Sequence, residues 1–146
     1  MLSATEQDRE GAVGGSIAPR MKRVLLAEDD DDVRDALARL LRLAGYEVRC
    51  VSSGMQMIEI CGAWTLDEEE PPCDFIVTDV RMPGFNGLEV VEGLRKSGWR
   101  QPVVVISAFG DAEMQRRVRR LEPAQLFAKP FDPDALERAL ASFAAP

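Results

Sequence analysis

The sequence contains no histidine among its 146 residues, and this absence excludes several kinds of site. A histidine general acid or base, a histidine–metal site and a phosphohistidine are all ruled out. Cysteine is scarce: Cys50, Cys61 and Cys73 are odd in number, widely spaced and form no C-x-x-C pair. This pattern favours reduced thiols that pack as small apolar residues over disulfides or a zinc site.

The sequence also lacks any apolar run that approaches the length needed to span a bilayer. Its first residues lack the basic and apolar regions of a secretion signal, so we expect a cytoplasmic protein that does not use a membrane as a partner. The net charge is −7. Because the phosphate backbone of nucleic acids attracts cationic proteins, this charge argues against direct binding of nucleic acid.

The chain divides into a short tail and one domain. Residues 1–20 mix Ser, Gly, Thr and charged residues without apolar periodicity, which predicts a disordered tail. Residues 21–146 have the length of one ordinary domain. The change from tail to strand falls at Met21, which raises the hypothesis that translation begins there. An intact mass of the native protein that contains residues 2–20 would contradict this hypothesis.

Beyond the tail, short apolar runs alternate with segments of helical periodicity. The predicted strands are Val24 to Ala27, Glu47 to Val51, the run from Phe75 that stops at Asp79, Pro102 to Ile106, and Leu126 to Ala128. The predicted helices are Val33 to the glycine stop at Gly45, Gly54 to Ala63 with Met55, Ile58 and Cys61 facing inward, Leu88 to Leu94, Asp111 to about Glu122, and Asp132 to near Phe143. A polar stretch from Thr65 to Pro72 is predicted as a solvated loop.

Five strands that alternate with five helices predict an α/β fold. The economical architecture is a parallel, doubly wound sheet with helices on both faces. Right-handed crossovers then place the carboxyl end of every strand on one edge of the sheet. In open α/β sheets this edge is where ligands bind.

Polar residues stand where the predicted strands end. The first strand ends in Glu28, Asp29 and Asp30, the third in Asp79, the fourth in Ser107 and the fifth in Lys129. Taken singly, each has an ordinary explanation as a turn residue, a helix-start residue or a solvated lysine. Their convergence on one edge favours a site.

The chemistry of this set suits a phosphoryl group and a magnesium ion. Clustered carboxylates repel one another unless a cation neutralises them, and Mg²⁺ prefers hard oxygen ligands. An EF-hand calcium loop is excluded because the acidic run lacks the glycine that its turn requires. With a metal, Lys129 and the Ser107 hydroxyl holding phosphoryl oxygens, Asp79 could attack the phosphorus in line and form an acyl phosphate.

Four stretches, in order, carry a family resemblance: VLLAEDD, TDVRMPGFNG, VVISAFGD and FAKPF. With these motifs the chain, from about Lys22 to Phe143, resembles the receiver domain of two-component response regulators. The resemblance implies a flavodoxin-like fold with five parallel strands in the order 2-1-3-4-5 and five helices. It also implies a signalling module that catalyses only its own phosphorylation and dephosphorylation and is not an enzyme with a separate substrate.

The resemblance implies roles for individual residues. Asp79 would be the phosphoacceptor, Glu28 and Asp29 would serve the Mg²⁺ site, and Arg81 would lend its backbone carbonyl to the metal. Ser107 would be the hydroxyl switch residue. Lys129 would pair with the phosphoryl group, with a cis peptide bond to the following proline. The implied partners are a histidine kinase or histidine phosphotransfer protein and a downstream protein target that the sequence does not name.

The sequence departs from the family pattern at one position. The family usually has an aromatic switch residue three positions before the motif lysine, whereas this chain has Leu126 there, with Phe127 next to it. Output is therefore expected to rely on backbone shifts of the fourth and fifth strand–helix units.

A second hypothesis concerns Phe109 and Arg81. These two residues would set the lifetime of the aspartyl phosphate by controlling the approach of water.

The fourth predicted helix carries Arg116, Arg117, Arg119 and Arg120. These arginines are either a solvated basic face or a docking surface for an acidic partner, and the sequence leaves both explanations open.

Two other functional classes compete with phosphorylation-controlled signalling. One is a receiver-like interaction module that acts without phosphorylation, which the complete set of polar residues argues against and Leu126 leaves open. The other is a metal-dependent aspartyl-phosphate hydrolase, which is disfavoured because the segment from Asp79 to Arg81 lacks the second carboxylate of that motif. The sequence leaves open whether the chain is a stand-alone receiver or part of a larger regulator.

Overall fold

The computed structural model describes residues 21–63, 71–108 and 110–144. The predicted tail, most of the polar stretch before Pro71 and residue Phe109 lie outside the described residues.

Five strands and five helices alternate along the described ranges. The strands are β1 (Arg23–Ala27), β2 (Glu47–Val51), β3 (Phe75–Asp79), β4 (Val103–Ser107) and β5 (Ala124–Ala128). The helices are α1 (Asp31–Leu43), α2 (Gly54–Gly62), α3 (Gly87–Lys96), α4 (Ala112–Arg119) and α5 (Pro133–Ala144). The strands form one parallel sheet in the order β2-β1-β3-β4-β5, which confirms the predicted architecture and strand order.

The burial of each strand follows from its place in the sheet. All five residues of β3 and of β4 are buried, because helices cover both faces of these central strands. In each of the edge strands β2 and β5 a single residue is buried, Val51 and Phe127 respectively, and the other residues are exposed or half-buried. The uninterrupted apolar runs in the sequence therefore mark the centre of the sheet, where the third and fourth strands end beside each other.

The sheet separates two hydrophobic layers. Residues of α1 and α5, such as Leu41 and Leu136, pack on one face of the sheet. Residues of α2, α3 and α4, such as Met57 and Leu88, pack on the other. No helix in the described ranges combines the length and the apolarity that crossing a membrane requires.

The inward face of α2 differs from the prediction. Met55 is exposed, whereas Met57 and Cys61 are buried and Ile58 is half-buried. Residues two apart on a helix project about 200° from each other, so Met57 and Met55 cannot share a face. The prediction that Met55 faces inward was wrong because the helix has apolar residues on more than one side.

The fourth helix is shorter than predicted and is shallowly seated. It ends at Arg119 rather than near Glu122, because the backbone N–H groups of Leu121 and Glu122 donate to carbonyls three residues back instead of four. Of the eight residues of α4, only Val118 is fully buried, whereas α3 buries four of its ten residues.

A guanidinium secures the segment that follows α4. Arg95, near the end of α3, donates hydrogen bonds from Nε to the carbonyl of Leu121 at 2.8 Å and from its two terminal nitrogens to the carbonyls of Trp99 and Pro123, both at 3.1 Å. This half-buried side chain therefore joins the last turn of α3 to the connection between α4 and β5.

Four helices begin at the carboxyl edge of the sheet with a polar cap. Asp30, Ser53, Asn86 and Asp111 each accept a hydrogen bond from the backbone N–H three residues further on. Asn86 and Glu89 form a reciprocal capping box. The loops along this edge are therefore held by the same residues that start the helices.

Candidate functional site

The site is built around Asp79, the last residue of β3. Asp79 is only 6% exposed, and the next residue, Val80, donates its backbone N–H to the carbonyl of Ile106 in β4 at 3.0 Å. The carboxylate is therefore held at the carboxyl edge of the sheet by a strand that is paired up to its final residue. Its Oδ2 lies 3.3 Å from Nζ of Lys129.

Two further carboxylates meet Asp79 at this edge. One oxygen each from Glu28, Asp29 and Asp79 lie within 4.8 Å of one another. Glu28 is positioned by its backbone N–H, which donates to the carbonyl of Val51 at 3.1 Å and continues the pairing of β1 with β2. Glu28 is buried and Asp29 is exposed, so the cluster is closed on the protein side and open towards solvent.

The environment of Glu28 favours a bound cation. Burial raises the pKa of Glu28 from 4.5 to about 7, and the charge of Asp79 adds to this shift, whereas the backbone N–H of Asp30 and the ammonium of Lys129 oppose it. Oε2 accepts the Asp30 N–H at 3.1 Å, but the buried Oε1 receives no hydrogen bond in the described structure. Its cation neighbour, Lys129 Nζ, is 3.8 Å away. The donor set and the buried oxygen without a hydrogen bond both fit a hard divalent cation such as Mg²⁺.

The basic side of the site comes from β5. Lys129 follows the last residue of β5, and its backbone N–H donates to the carbonyl of Ser107 at 2.8 Å. Ser107 is buried at the end of β4. The peptide bond between Lys129 and Pro130 is cis, as the family resemblance implied.

The structure brings together most of the predicted site residues. Glu28, Asp29, Asp79 and Lys129 form one cluster, and Ser107 joins it through its backbone hydrogen bond to the lysine. Arg81 is exposed and stands two residues beyond the end of β3. Asp30, which the sequence places beside the acidic pair, serves as the cap of α1, where it accepts the N–H of Val33.

The residues that fix the backbone of Asp79 were not predicted from the sequence. The buried hydroxyl of Thr78 donates to the carbonyl of Asp79 at 2.9 Å and lies 3.6 Å from the sulfur of Met57. A Cβ added at Gly87 would lie 2.1 Å from the Asp79 carbonyl oxygen and 2.3 Å from the Thr78 hydroxyl. The first residue of α3 therefore rests directly on the end of β3. The available signal was the glycine immediately before the first apolar residue of the helix.

Arg34 supports the other side of the site. It donates to the carbonyl of Glu28 at 2.9 Å and forms an ion pair with Asp31 in the first turn of α1. Its position one turn into a helix gave no sequence signal for this contact, because the contact depends on how the turn after β1 folds back.

Comparison with known proteins agrees with this geometry. The profile of the response regulator receiver domain matches residues 24–141. The chain belongs to the response regulator receiver domain family. It is a signalling module of the two-component type, as the motif order implied.

Relatives and solved structures of the family resemble the receiver over most of its length. The transcriptional regulatory protein FixJ from Azorhizobium caulinodans is 35% identical over 120 residues, which are 81% of this chain and 53% of FixJ. The chemotaxis response regulator CheY4 of Vibrio cholerae superimposes with a TM-score of 0.70 at 25% identity, covering 85% of this chain and 99% of CheY4. The response regulator TrrA from Thermotoga maritima, whose structure was determined in complex with Mg²⁺–BeF, superimposes with a TM-score of 0.71 at 23% identity. The superposition covers 84% of this chain and 99% of TrrA. The chain spans about half the length of the first curated relatives it matches.

Proposed function

We propose that this receiver is a phosphoacceptor. A partner histidine kinase or histidine phosphotransfer protein phosphorylates its Asp79 in the presence of Mg²⁺. The observation that carries the proposal is the surroundings of one carboxylate. Asp79 is buried at the open edge of the sheet, with an ammonium 3.3 Å away and two other carboxylates within reach of a shared cation.

The reaction follows from the groups present. An Asp79 carboxylate oxygen attacks the phosphorus of the donor phosphohistidine, the P–N bond breaks with its electron pair left on the imidazole nitrogen, and a P–O bond forms an acyl phosphate. The imidazole belongs to the partner, because this chain contains no histidine. Lys129 would pair with the transferred phosphoryl oxygens, and Ser107 would offer its hydroxyl to them.

The acidic cluster would hold the metal. Glu28, Asp29 and Asp79 would contribute carboxylate oxygens, and Arg81 would contribute its backbone carbonyl. Mg²⁺, when bound, supplies positive charge that neutralises the phosphoryl oxygens. The complex of TrrA with Mg²⁺–BeF supports this assignment by analogy.

The signal would leave through the units that contact Ser107 and Lys129. Backbone shifts of β4–α4 and β5–α5 would alter a protein-binding face, because Leu126 has no ring that could change rotamer.

We further propose that residues 1–20 are a tail outside the domain and that the protein acts in the cytoplasm. Its chemistry would be limited to its own phosphorylation and dephosphorylation.

The intact mass of the protein tests the proposal directly. The protein is incubated with a small phosphodonor such as acetyl phosphate, with and without MgCl₂, and compared with Asp79→Asn and with Asp35→Asn, which alters an exposed carboxylate of α1. We expect a single phosphoryl adduct that requires Mg²⁺, is retained in Asp35→Asn and is lost in Asp79→Asn.

The absence of an adduct from the folded, Mg²⁺-binding protein, even after addition of a phosphorylated histidine phosphotransfer protein, would contradict the proposal. That outcome would favour an interaction module that acts without phosphorylation. An adduct that persists in Asp79→Asn would place the phosphoacceptor elsewhere.

A further inference from the structure

A row of arginines lies along α4. Arg116, Arg117 and Arg120, together with Glu113, line a surface groove of about 280 Å³. These positions are three or four residues apart, so they share one side of the helix. We call the three arginines the arginine stripe.

One member of the stripe already holds a carboxylate. Arg117 binds Glu92 of α3 through two parallel contacts, from Nε to Oε2 at 3.0 Å and from a terminal nitrogen to Oε1 at 2.9 Å. The hydrogen bond to Glu92 raises the pKa of Arg117. This paired geometry is the one in which a guanidinium recognises a carboxylate most specifically.

The other two members of the stripe are exposed. Within residues 21–63, 71–108 and 110–144, neither Arg116 nor Arg120 has a carboxylate at ion-pair distance. Two guanidinium groups are therefore available to an external anion beside a third that is already paired. They are positive charges on the surface of a protein whose net charge is −7.

We propose that the arginine stripe is a docking surface for a short acidic segment of a partner protein. Arg116 and Arg120 are four residues apart, which corresponds to about 6 Å along a helix. Two carboxylates four residues apart on a partner helix have this spacing. Two carboxylates two residues apart on an extended strand have nearly the same spacing. A segment with two such carboxylates would pair with both exposed arginines.

The charges around the stripe favour an acidic peptide over nucleic acid. Glu89, Glu92 and Glu113 all act on the charge of Arg117, so carboxylates border the stripe. A continuous phosphate backbone would be repelled by these groups, whereas a segment with two carboxylates and neutral neighbours can avoid them. Docking of this kind does not require phosphorylation of Asp79, because the arginine stripe and its ion pair with Glu92 are present in the unphosphorylated protein.

Binding of defined probes tests the proposal. The labelled probes are an alanine-rich helical peptide with two glutamates four residues apart, the same peptide with glutamines, and a short DNA duplex. The protein is compared with Arg116→Glu/Arg120→Glu and with a control of equal net charge, Arg39→Glu/Arg49→Glu, which alters exposed arginines of α1 and β2. Fluorescence anisotropy at low and at physiological salt gives the affinities, and amide chemical-shift changes locate the contact.

We expect the glutamate peptide to bind with shift changes confined to α4 and the facing side of α3. Because an exposed ion pair accounts for up to about fivefold in affinity, reversal of both arginines should weaken binding by roughly tenfold or more. The control pair should weaken it by less than about threefold, through net charge alone. Equal weakening by both double variants, equal binding of the glutamine peptide, or tighter binding of the DNA would each overturn the proposal.

Discussion

Replacing Gly87 with alanine tests whether contact between α3 and β3 fixes the end of the strand that carries Asp79. The added Cβ would lie 2.1 Å from the Asp79 carbonyl oxygen and 2.3 Å from the Thr78 hydroxyl. Neither atom can move aside easily. The carbonyl belongs to the buried backbone of β3, and the hydroxyl is hydrogen-bonded to that same carbonyl.

The expected loss of stability follows from how far α3 must move to relieve the contact between the added Cβ and β3. The start of α3 would have to withdraw by about 1 Å, which would strain the hydrogen bond from the Gly87 N–H to the Val80 carbonyl. Overpacking of this kind destabilises by ~1–3 kcal/mol, against a helix-propensity gain for alanine of at most ~1 kcal/mol. We expect the free energy of unfolding to fall by about 2 kcal/mol and Tm by about 8 °C.

A second glycine in the same helix provides the matched control. Gly93 is exposed, and a Cβ added there would meet nothing within 4 Å. Gly93→Ala should therefore stabilise the protein by ~0.5–1 kcal/mol through helix propensity alone. Urea unfolding gives both free energies, and intact mass after incubation with acetyl phosphate and MgCl₂ gives the rate of adduct formation, which should fall in Gly87→Ala.

A Gly87→Ala variant that is as stable as the parent protein, or that gains stability as Gly93→Ala does, would contradict a close contact between α3 and β3. A destabilised Gly87→Ala variant that is phosphorylated at the parent rate would show that the contact supports the fold without positioning Asp79.

Three other perturbations have defined outcomes. Because the pKa of Glu28 is raised from 4.5 to about 7, the ionised carboxylate destabilises the fold above about pH 7. Glu28→Gln should therefore stabilise the metal-free protein at pH 8 by ~1–2 kcal/mol and lose this gain towards pH 4.5. The same variant should show no thermal stabilisation by MgCl₂. Iodoacetamide at pH 8 should modify only the exposed Cys50 in the native protein, because burial raises the pKa of the two other thiols to about 12; mass spectrometry should show three adducts only after unfolding. Arg95→Ala should lower the free energy of unfolding in urea by ~2 kcal/mol, because three carbonyl oxygens lose a charged donor, and an unchanged midpoint would contradict this.

The sequence predicted best those elements whose own residues show how the element is buried or where it begins. β3 and β4 begin with continuous apolar runs because they are covered on both faces, and the bounds of β2 matched residue for residue. The helix starts were also readable, since caps such as Asp111 act locally. Met55 was misassigned because α2 has apolar residues on several sides, and only packing decides which side is buried.

The convergence of the predicted site residues has a topological reason. Parallel strands with right-handed crossovers bring their ends to one edge, so Glu28, Asp79 and Lys129 could be grouped without coordinates. What the sequence could not provide was the supporting contacts. The approach of Gly87 to β3 and the hold of Arg34 on the Glu28 carbonyl both depend on distances between segments that no periodicity encodes.

The shallow seat of α4 has a consequence for the timing of its motions. A helix with one fully buried residue can open locally with little exposure of buried apolar surface, so its amide protons should exchange with solvent well before those of α3. The apolar burial that holds α4 against the sheet is correspondingly small. Of the helices around this sheet, α4 is therefore the one whose equilibrium a weak bias, such as a bound acidic segment, can shift furthest.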